Sequence, residues 1–400
     1  MFSSVKISIY TIIISPHLVP LAKGIADNIG IENFKYVYNQ GIGRRAALGW
    51  NEEPESWFSQ NKEICFQSQY LLSGIKDLSL FEQRSATHLS TFYMSERWFK
   101  PPFGAFRMLL PDYLNSASRF VKLLSNDDNF YYLPLGIYAA QDMARICGII
   151  NGDVNCYLKT PKLKYEPFPG GRFHLFEHGG TENEWTDYER RLGLHKMYLW
   201  GYFVEQSTIV KEKLKELRNR QREEVKDGKP INVLYIGRLL NLKKVDTIIK
   251  AVKLLKNENK IINLNIVGIG PTESKLKKLA KDCANVTFSP SIPINVVREL
   301  MHNNDLLVLS SNAYEGWGAV VSEAIAERMP VIGTHEAGSS KTLLPYNRLF
   351  EAGDYHSLAK LLTSSHILDP VPEEIVQWWS PQNASETLIK LIEKSKNRKK

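Results

Sequence analysis

The sequence predicts an α/β protein of two domains, of which the C-terminal one is doubly wound around a parallel sheet and the N-terminal one begins with the same pattern. In the C-terminal half, short apolar runs recur as candidate strands, and residues 245–255 between two of them carry apolar side chains at helical spacing. Near-continuous apolar strands that alternate with amphipathic helices are typical of a parallel sheet covered on both faces. The N-terminal half begins in the same way, with a strand at residues 6–14 and a helix near residues 20–28.

The predicted strands follow these apolar runs in chain order. Those of the N-terminal half are at residues 6–14, 34–38, 63–66, 90–94, 131–135 and 198–200. Those of the C-terminal half are at residues 233–236, 264–267, 286–288, 306–309 and 331–332. Residues 151–194 interrupt the first series, because three prolines and a Gly-Gly pair leave only a few alternating apolar residues. We interpret this stretch as an irregular insertion.

The charge pattern divides the chain into two halves. Residues 211–229 hold eight basic and five acidic side chains, and an Asp-Gly-Lys-Pro turn signal follows. We therefore expect a solvated helix or a charged linker at residues 211–229, between an N-terminal domain of residues 1–210 and a C-terminal domain of residues 230–365.

Composition and charge narrow the class of protein. With 400 residues, of which 43% are hydrophobic and 24% charged, the chain has the composition of a soluble protein with two or three domains. Its longest apolar stretches are strand-sized, far short of the roughly 20 residues of a membrane helix. The net charge of +8 favours phosphates, nucleic acid or an acidic membrane surface as partners. Four cysteines without a CxxC pair or a metal-like cluster indicate a reduced, cytoplasmic setting.

The strongest chemical signal is a segment that follows the strand at residues 306–309 and opens a helix. It contains two carboxylates, Glu315 and Glu323, and two glycines, Gly316 and Gly318. Glycines let a ligand approach the backbone, and the first N–H groups of a helix are unpaired donors. Carboxylates accept hydrogen bonds from the vicinal hydroxyls of a sugar. The alternative is that Glu315 only caps the helix and the glycines only form a turn.

Two further turns follow strands at the same predicted edge of the sheet. Gly237 and Arg238 end the first strand of the C-terminal domain, and Lys243 precedes the next helix. Two cations beside a helix N-terminus would suit a diphosphate, although ordinary solvated cations are the alternative. Gly268 and Gly270 form a second strand-to-helix turn, which is weak evidence alone.

Together these residues resemble the retaining GT-B glycosyltransferases of family four, the glycosyl transferases group 1. The resemblance implies the GT-B fold, in which two Rossmann-like, doubly wound domains face each other across a cleft. The resemblance spans about residues 231–340 and rests above all on the Glu-x7-Glu motif from Glu315 to Glu323. It implies that Arg238 and Lys243 bind the donor diphosphate, that Glu323 binds the ribose, and that Glu315 with adjacent amides binds the donor sugar. It also implies donor-binding positions at Gly237, Gly268, Gly270, Gly316, Trp317 and Gly318. Lys244 departs from the pattern, because a glycine is usual there.

The N-terminal half resembles this family less closely. Residues 91–97 and 200–203 are similar to a subgroup of bacterial surface-polysaccharide glycosyltransferases. By that resemblance, Glu96 is a catalytic candidate, and Arg97 and His17 are acceptor-binding candidates. The alternatives are a structural ion pair of Glu96 with Arg97 and a structural histidine. Residues 366–400, including Trp378 and Trp379, are expected to cross back to the N-terminal domain, as in the resembled fold.

The reaction that the resemblance implies moves a sugar from a nucleoside-diphosphate sugar, UDP-linked by expectation, to an acceptor hydroxyl with retention of configuration. Neither a metal nor another cofactor is expected, because Arg238 and Lys243 would neutralise the leaving phosphate. The acceptor would be a sugar or a lipid-linked sugar in surface polysaccharide or glycolipid synthesis. We expect a cytoplasmic protein in peripheral contact with the inner face of an anionic membrane.

Two alternatives belong to other functional classes. A nucleotide-sugar epimerase or hydrolase of the same build would act on the donor without an acceptor. A non-enzymatic basic protein would bind nucleic acid through residues 211–229 and 394–400. The mixed charges of the first stretch and its lack of interleaved aromatic residues argue against nucleic acid as a partner.

Overall fold

The computed structural model describes residues 5–13, 19–40, 65–67, 130–134, 154–159, 173–180, 197–199, 201–260, 262–313, 315 and 317–397. These residues divide into two compact units. The described residues before Tyr202 and those from Ser385 onward form the first unit, and Tyr202–Ala384 form the second.

The first unit contains a seven-stranded sheet in which every neighbouring pair is parallel. Its strands are β1 (Lys6–Ile13), β2 (Phe34–Gln40), β3 (Cys65–Gln67), β4 (Phe130–Pro134), β5 (Val154–Lys159), β6 (Phe173–Gly180) and β7 (Met197–Leu199), in the spatial order β3-β2-β1-β4-β5-β6-β7. The described helix that follows β1, α1 (Val19–Ile29), buries Leu21, Ala22 and Ile25, and Ile7 and Ile9 of β1 are fully buried.

The structure corrects the interpretation of residues 151–194 as an irregular insertion. Strands β5 and β6 both lie in this stretch and pair with each other in parallel within the main sheet. The prolines and the Gly-Gly pair that suggested an insertion fall between the two strands. These turn-forming residues lie so close to both strands that the sequence pattern of the whole stretch looked irregular. The predicted strand at residues 90–94 lies outside the described residues.

The second unit contains a six-stranded parallel sheet, which consists of the five predicted strands and a short edge strand, Leu349–Phe350, that was not predicted. Its strands are β8 (Ile231–Ile236), β9 (Ile262–Val267), β10 (Val286–Ser289), β11 (Leu306–Leu309), β12 (Val331–Thr334) and β13 (Leu349–Phe350), in the spatial order β10-β9-β8-β11-β12-β13. Its helices are α2 (Lys211–Lys226), α3 (Val245–Asn257), α4 (Glu273–Leu279), α5 (Ile294–His302), α6 (Ala319–Ala326), α7 (Gly338–Leu343), α8 (Tyr355–Leu362) and α9 (Glu373–Trp378). The order reverses between β8 and β11, and ligands bind beyond the strand ends at such a switch point.

The core of the second unit confirms the helical spacing of residues 245–255. The five apolar side chains on that face of α3 are at most 2% exposed, and they are Val245, Ile248, Ile249, Val252 and Leu255. They belong to the same buried cluster as Val233 and Tyr235 of β8. Each such side chain contributes about 1.5–3 kcal/mol by burial. This packing fixes the turn between β8 and α3.

The charged stretch that we expected to be a solvated helix or a linker contains the helix α2, which belongs to the second unit. Arg218 is 1% exposed. Its guanidinium donates hydrogen bonds to the backbone oxygens of Met301 and Asn304 at 3.1 Å and of Glu327 at 3.1 Å. Burial lowers the pKa of Arg218 to about 10. These carbonyls lie where α5 and α6 end, so the cation satisfies acceptors that a helix leaves unpaired.

The last helix, α10 (Pro381–Asn397), begins in the second unit, and from Ser385 onward its residues belong to the first. Asn28 of α1 donates a hydrogen bond to the Ser385 hydroxyl at 2.7 Å. The passage between units therefore comes later than residue 366. No helix in the part of the chain that the structure describes is both long and apolar enough to cross a membrane.

Candidate functional site

The candidate site lies where β8 and β11 end, at the carboxyl edge of the second sheet. Lys243 ends a short 3-10 turn, Asn241–Lys243, that follows β8, and Glu315 lies in the loop after β11. Although they are 72 residues apart, the Lys243 ammonium and the Glu315 carboxylate form an ion pair. Their side chains are 18% and 13% exposed. The fold thus brings together two of the residues that the sequence analysis selected.

Two serines hold the loops that carry this ion pair. The Ser311 hydroxyl donates to Glu315 Oε2 at 3.0 Å, and the Ser310 hydroxyl donates to the backbone oxygen of Lys243 at 2.7 Å. The backbone N–H of Asn312 also donates to the oxygen of Leu242 at 2.8 Å. Sequence reasoning missed both serines. Only their position in the sequence could have indicated this role, because both serines directly follow an apolar strand and so lie at the carboxyl edge of the sheet.

Lys244 takes a backbone conformation that explains why a glycine is usual at this position. Its φ of 49° and ψ of 37° are left-handed, and it is the N-cap residue directly before α3. A side chain is disfavoured in this conformation, whereas glycine adopts it readily. The loop keeps its shape with a lysine here, at a cost in backbone strain.

Arg238 lies in the turn after β8 and is exposed. Its backbone oxygen accepts a hydrogen bond from the Tyr235 hydroxyl at 3.1 Å. Burial, and then the nearby Glu315 carboxylate, raise the pKa of Tyr235, so the hydroxyl stays a donor. The Arg238 guanidinium forms no ion pair with any residue that the structure describes, and it is therefore accessible to an anionic ligand.

Gly268 and Gly270 allow the turn after β9 to pack closely against the turn after β8. A Cβ atom at Gly268 would lie 2.0 Å from the oxygen of Gly237, and one at Gly270 would lie 2.3 Å from the oxygen of Leu239. The Thr272 hydroxyl also donates to this Leu239 oxygen at 2.8 Å. Backbone contact alone thus explains both glycines. A further role in donor binding stays a prediction for Gly237, Gly268 and Gly270.

The second carboxylate of the motif, Glu323, is buried inside α6 and is 6% exposed. Burial raises its pKa to about 7, and the positive charge of Arg298 partly offsets this effect. Gly318 precedes α6 with a left-handed φ of 86°, and a Cβ atom there would lie 2.7 Å from Leu309 Cδ2. A side chain at position 318 would therefore clash with Leu309 and strain the backbone. Gly316 lies outside the described residues.

Trp317 makes packing contacts with its indole. The ring stacks on Trp379 at 5.1 Å between centroids and 15° between planes, and its N–H donates to the Ser322 hydroxyl at 3.0 Å. Trp379 in turn contacts the Phe203 ring at 4.6 Å. All four residues belong to the second unit. Phe203 lies within residues 1–210, which the sequence analysis assigned to the N-terminal domain, whereas the structure assigns it to the second unit together with Trp379.

The N-terminal candidates Glu96, Arg97 and His17 lie outside the described residues, and their roles stay predictions. Within the described ranges, no group of three or more His, Cys, Asp or Glu side chains is placed to hold a metal ion. The carboxyl edge of the second sheet thus offers the cations Arg238 and Lys243, the Glu315 carboxylate and the Ser311 hydroxyl, and Glu323 lies buried in the helix that follows. This set is suited to a ligand that combines phosphates with sugar hydroxyls.

Comparison with known proteins finds similar sequences for this part of the chain. Residues 217–377 match the family model described as Glycosyl transferases group 1. The amylovoran biosynthesis glycosyltransferase AmsK of Erwinia amylovora is 24% identical over 186 residues, which cover 43% of this chain and 45% of AmsK. The matches to curated relatives span less than half of each relative's length.

Solved structures extend the likeness along the chain. The lipopolysaccharide outer core galactosyltransferase WaaB has a TM-score of 0.55 and 14% identity, and the alignment covers 98% of this chain and 100% of WaaB. Anabaena HepE in complex with UDP and glucose has a TM-score of 0.57 and 11% identity, with 97% and 100% covered. At these identities the likeness shows the fold, which is the GT-B fold of two Rossmann-like units. Residues 217–377 therefore form a region that is similar to the glycosyl transferases group 1 family.

Proposed function

We propose that this protein is a glycosyltransferase that moves a sugar from a UDP-sugar to an acceptor hydroxyl with retention of configuration. The ion pair of Lys243 and Glu315 at the carboxyl edge of the second sheet is the observation that carries the proposal. It joins a cation suited to a diphosphate with a carboxylate suited to sugar hydroxyls. HepE, which shares the fold, is described in complex with UDP and glucose.

The proposed chemistry needs no nucleophilic side chain. The bond between the anomeric carbon and the diphosphate oxygen breaks, and a bond from that carbon to the acceptor oxygen forms on the same face. The acceptor proton passes to the departing phosphate oxygen. Lys243, with Arg238 exposed in the neighbouring turn, would stabilise the negative charge that develops on the phosphate. Both cations would thus lie close to the phosphate on which negative charge develops during the reaction.

Glu315 and Glu323 would bind hydroxyl groups of the donor. Glu315 is held by Lys243 and Ser311, which fixes its carboxylate before a sugar arrives. Glu323 is buried in α6 and would accept hydrogen bonds from the ribose. A hydrogen-bonded carboxylate that is already in place loses little freedom on binding, which favours affinity.

The relatives suggest the setting. AmsK is named for amylovoran biosynthesis, and WaaB is named for the outer core of lipopolysaccharide. We therefore propose a growing polysaccharide or glycolipid as the acceptor. With a net charge of +8, the protein would meet a lipid-linked acceptor by reversible contact with the inner face of an anionic membrane.

Donor screening tests the proposed reaction. The full chain would be incubated with UDP-, GDP- and ADP-sugars, with and without oligosaccharide acceptors, and nucleotide release would be measured. The proposal expects UDP release that depends on an acceptor, and losses of about 30- to several-thousand-fold in Arg238→Ala and Glu323→Ala. Acceptor-independent conversion of the donor would favour the epimerase or hydrolase. Activity within threefold of wild type in both variants would rule out the proposed site.

Chelation tests the proposed independence from metal ions. Because Arg238 and Lys243 would neutralise the leaving phosphate, turnover is expected to persist in excess EDTA. Turnover would be followed by UDP release in the same assay, with and without added Mg²⁺. Complete loss in EDTA, with recovery on addition of Mg²⁺ or Mn²⁺, would refute the role given to the two cations.

A further inference from the structure

The indole rings of Trp317 and Trp379 stack on each other next to the loop that carries Glu315. Trp317 is 7% exposed and Trp379 is 3% exposed. Their indoles are nearly parallel, with 15° between planes. The Trp379 N–H donates to the backbone oxygen of Tyr202 at 2.9 Å, and its ring packs on Phe203 at 4.6 Å. Trp379 is thus fixed on three sides by groups distant in sequence.

Trp317 connects this stack to both carboxylates of the candidate site. It lies two residues after Glu315, and its N–H donates to the hydroxyl of Ser322, the neighbour of Glu323. Its backbone oxygen accepts from the N–H of Ser339 at 2.9 Å. The indole therefore joins the loop before α6 to the second turn of that helix. A shift of this ring would move the segment on which both carboxylates lie.

We propose that Trp379 is a positioning residue of the donor site, which holds Trp317 and through it the segment from Glu315 to Glu323. The inference rests on the proposed function for its effect on turnover, because Trp379 would act through its neighbours and not by contact with the donor. Offset-stacked aromatic pairs are stabilised beyond their buried area. A misplacement of about 1 Å in a catalytic group can cost about 100-fold in rate.

The chain provides a matched control beside Trp379. Trp378 is 39% exposed and meets Trp379 edge-on at 5.2 Å. Substitution of Trp378 removes a similar amount of side chain from the same helix end but leaves the stack on Trp317. Trp379→Phe is the conservative variant, because it keeps an aromatic face towards Trp317 and removes the pyrrole ring with the N–H that reaches Tyr202.

The experiment compares Trp379→Leu, Trp379→Phe and Trp378→Leu with wild type, all in the full chain. Hydrogen exchange would be followed at the amides of α6 (Ala319–Ala326) and, as an internal reference, of α3 (Val245–Asn257). The proposal expects faster exchange in α6 but not in α3 for Trp379→Leu. It expects near wild-type exchange for the other two variants.

Turnover provides the second measurement. UDP release at saturating donor is expected to fall about 10- to 100-fold in Trp379→Leu and to stay within about threefold of wild type in Trp379→Phe and Trp378→Leu. Unchanged exchange in α6, or an equal rise in α3 from general destabilisation, would overturn the proposal. So would wild-type turnover in Trp379→Leu. If wild type releases UDP from no donor, the proposed function fails, and the exchange comparison alone decides whether Trp379 positions the loop.

Discussion

At the scale of single residues, the candidate site depends on charges that lie close together and are mostly shielded from water. The attraction between Lys243 and Glu315 is screened less than that of an exposed pair, because each side chain is less than a fifth exposed. Ser311 adds a hydrogen bond to the same carboxylate. A diphosphate at this edge would compete with Glu315 for the ammonium. By the proposed function, both charges would therefore influence how tightly a nucleotide binds.

Lys244→Gly should stabilise the protein. The wild-type lysine has a left-handed backbone with a φ of 49°, which glycine adopts without strain. Relief of this strain, less the entropy that glycine loses on folding, should raise the free energy of unfolding by about 0.5–1 kcal/mol. Urea unfolding of the full chain measures this change in the free energy of unfolding. Lys253→Gly inside α3 is the control and should lose about 1 kcal/mol. A loss of stability in Lys244→Gly would contradict the assigned strain.

Glu323→Gln should remove a pH dependence of donor affinity. Burial raises the pKa of Glu323 to about 7, so its carboxyl loses its proton near neutral pH. The ionised form accepts two hydroxyl donors, and affinity for UDP-glucose should therefore rise by up to about tenfold from about pH 6 to about pH 8. The donor diphosphate carries no proton to lose in this range. Calorimetric titration of wild type and Glu323→Gln at several pH values measures this affinity. An equal change of affinity with pH in the two proteins would contradict the role of Glu323.

The same variant should change the stability of the protein with pH. Because the folded-state pKa of Glu323 lies above its unfolded value, the folded protein holds this proton to higher pH. Wild type should lose stability as pH rises from about 4.5 through about 7, and Glu323→Gln should not. The melting temperatures should differ more at about pH 8 than at about pH 5. A difference that does not change with pH would count against the raised pKa.

At the scale of secondary structure, local apolar patterns predict strands well where both faces are buried. All four residues of β11 and of β12 are buried, and both strands were predicted. The patterns did not reveal contacts made by polar side chains. Arg218 lies in a stretch of charged residues that predicts solvent exposure, whereas the fold buries it against helix ends. The stack of Trp379 on Trp317 likewise joins residues distant in sequence, so neither spacing nor propensity could predict it.

Arg218→Met should loosen α2 from the second unit. The substitution leaves the backbone oxygens of Met301, Asn304 and Glu327 without their buried donor. We expect a loss of about 3 kcal/mol or more in the free energy of unfolding, because each bond to a charged group contributes about 1.5–3 kcal/mol. Arg222→Met, on the same helix, removes a partly exposed ion pair with Asp369 and should cost no more than about 1 kcal/mol. Equal losses in urea unfolding would contradict the capping role of Arg218.

At the scale of the whole molecule, net charge and family suggest where the protein acts. The chain carries 51 basic and 43 acidic side chains, which gives +8. Attraction to an anionic surface contributes about 1 kcal/mol per nearby cation and decays within a Debye length. We expect the N-terminal residues 98–103, which lie outside the described residues, to contribute aromatic and basic side chains to this contact. Membrane binding should therefore be partial and reversible.

Vesicle co-sedimentation measures this membrane contact. The full chain should sediment with vesicles that contain anionic lipid and should be released by high salt, because its attraction is electrostatic. Neutral vesicles are the control and should recover little protein. Equal recovery with neutral and anionic vesicles, unchanged between low and high salt, would refute the membrane proposal and leave the transferase proposal intact.

The most direct test of the donor site is calorimetric titration of UDP into wild type, Lys243→Gln and Lys277→Gln. Loss of Lys243 removes an ammonium from the site and leaves the Glu315 carboxylate without its partner. Lys277 is an exposed lysine on α4 that pairs with Glu273, so its loss should not matter. We predict that Lys243→Gln binds UDP at least about 30-fold more weakly than wild type, whereas Lys277→Gln binds it equally well. Equal affinity of wild type and Lys243→Gln for UDP would contradict the proposed donor site.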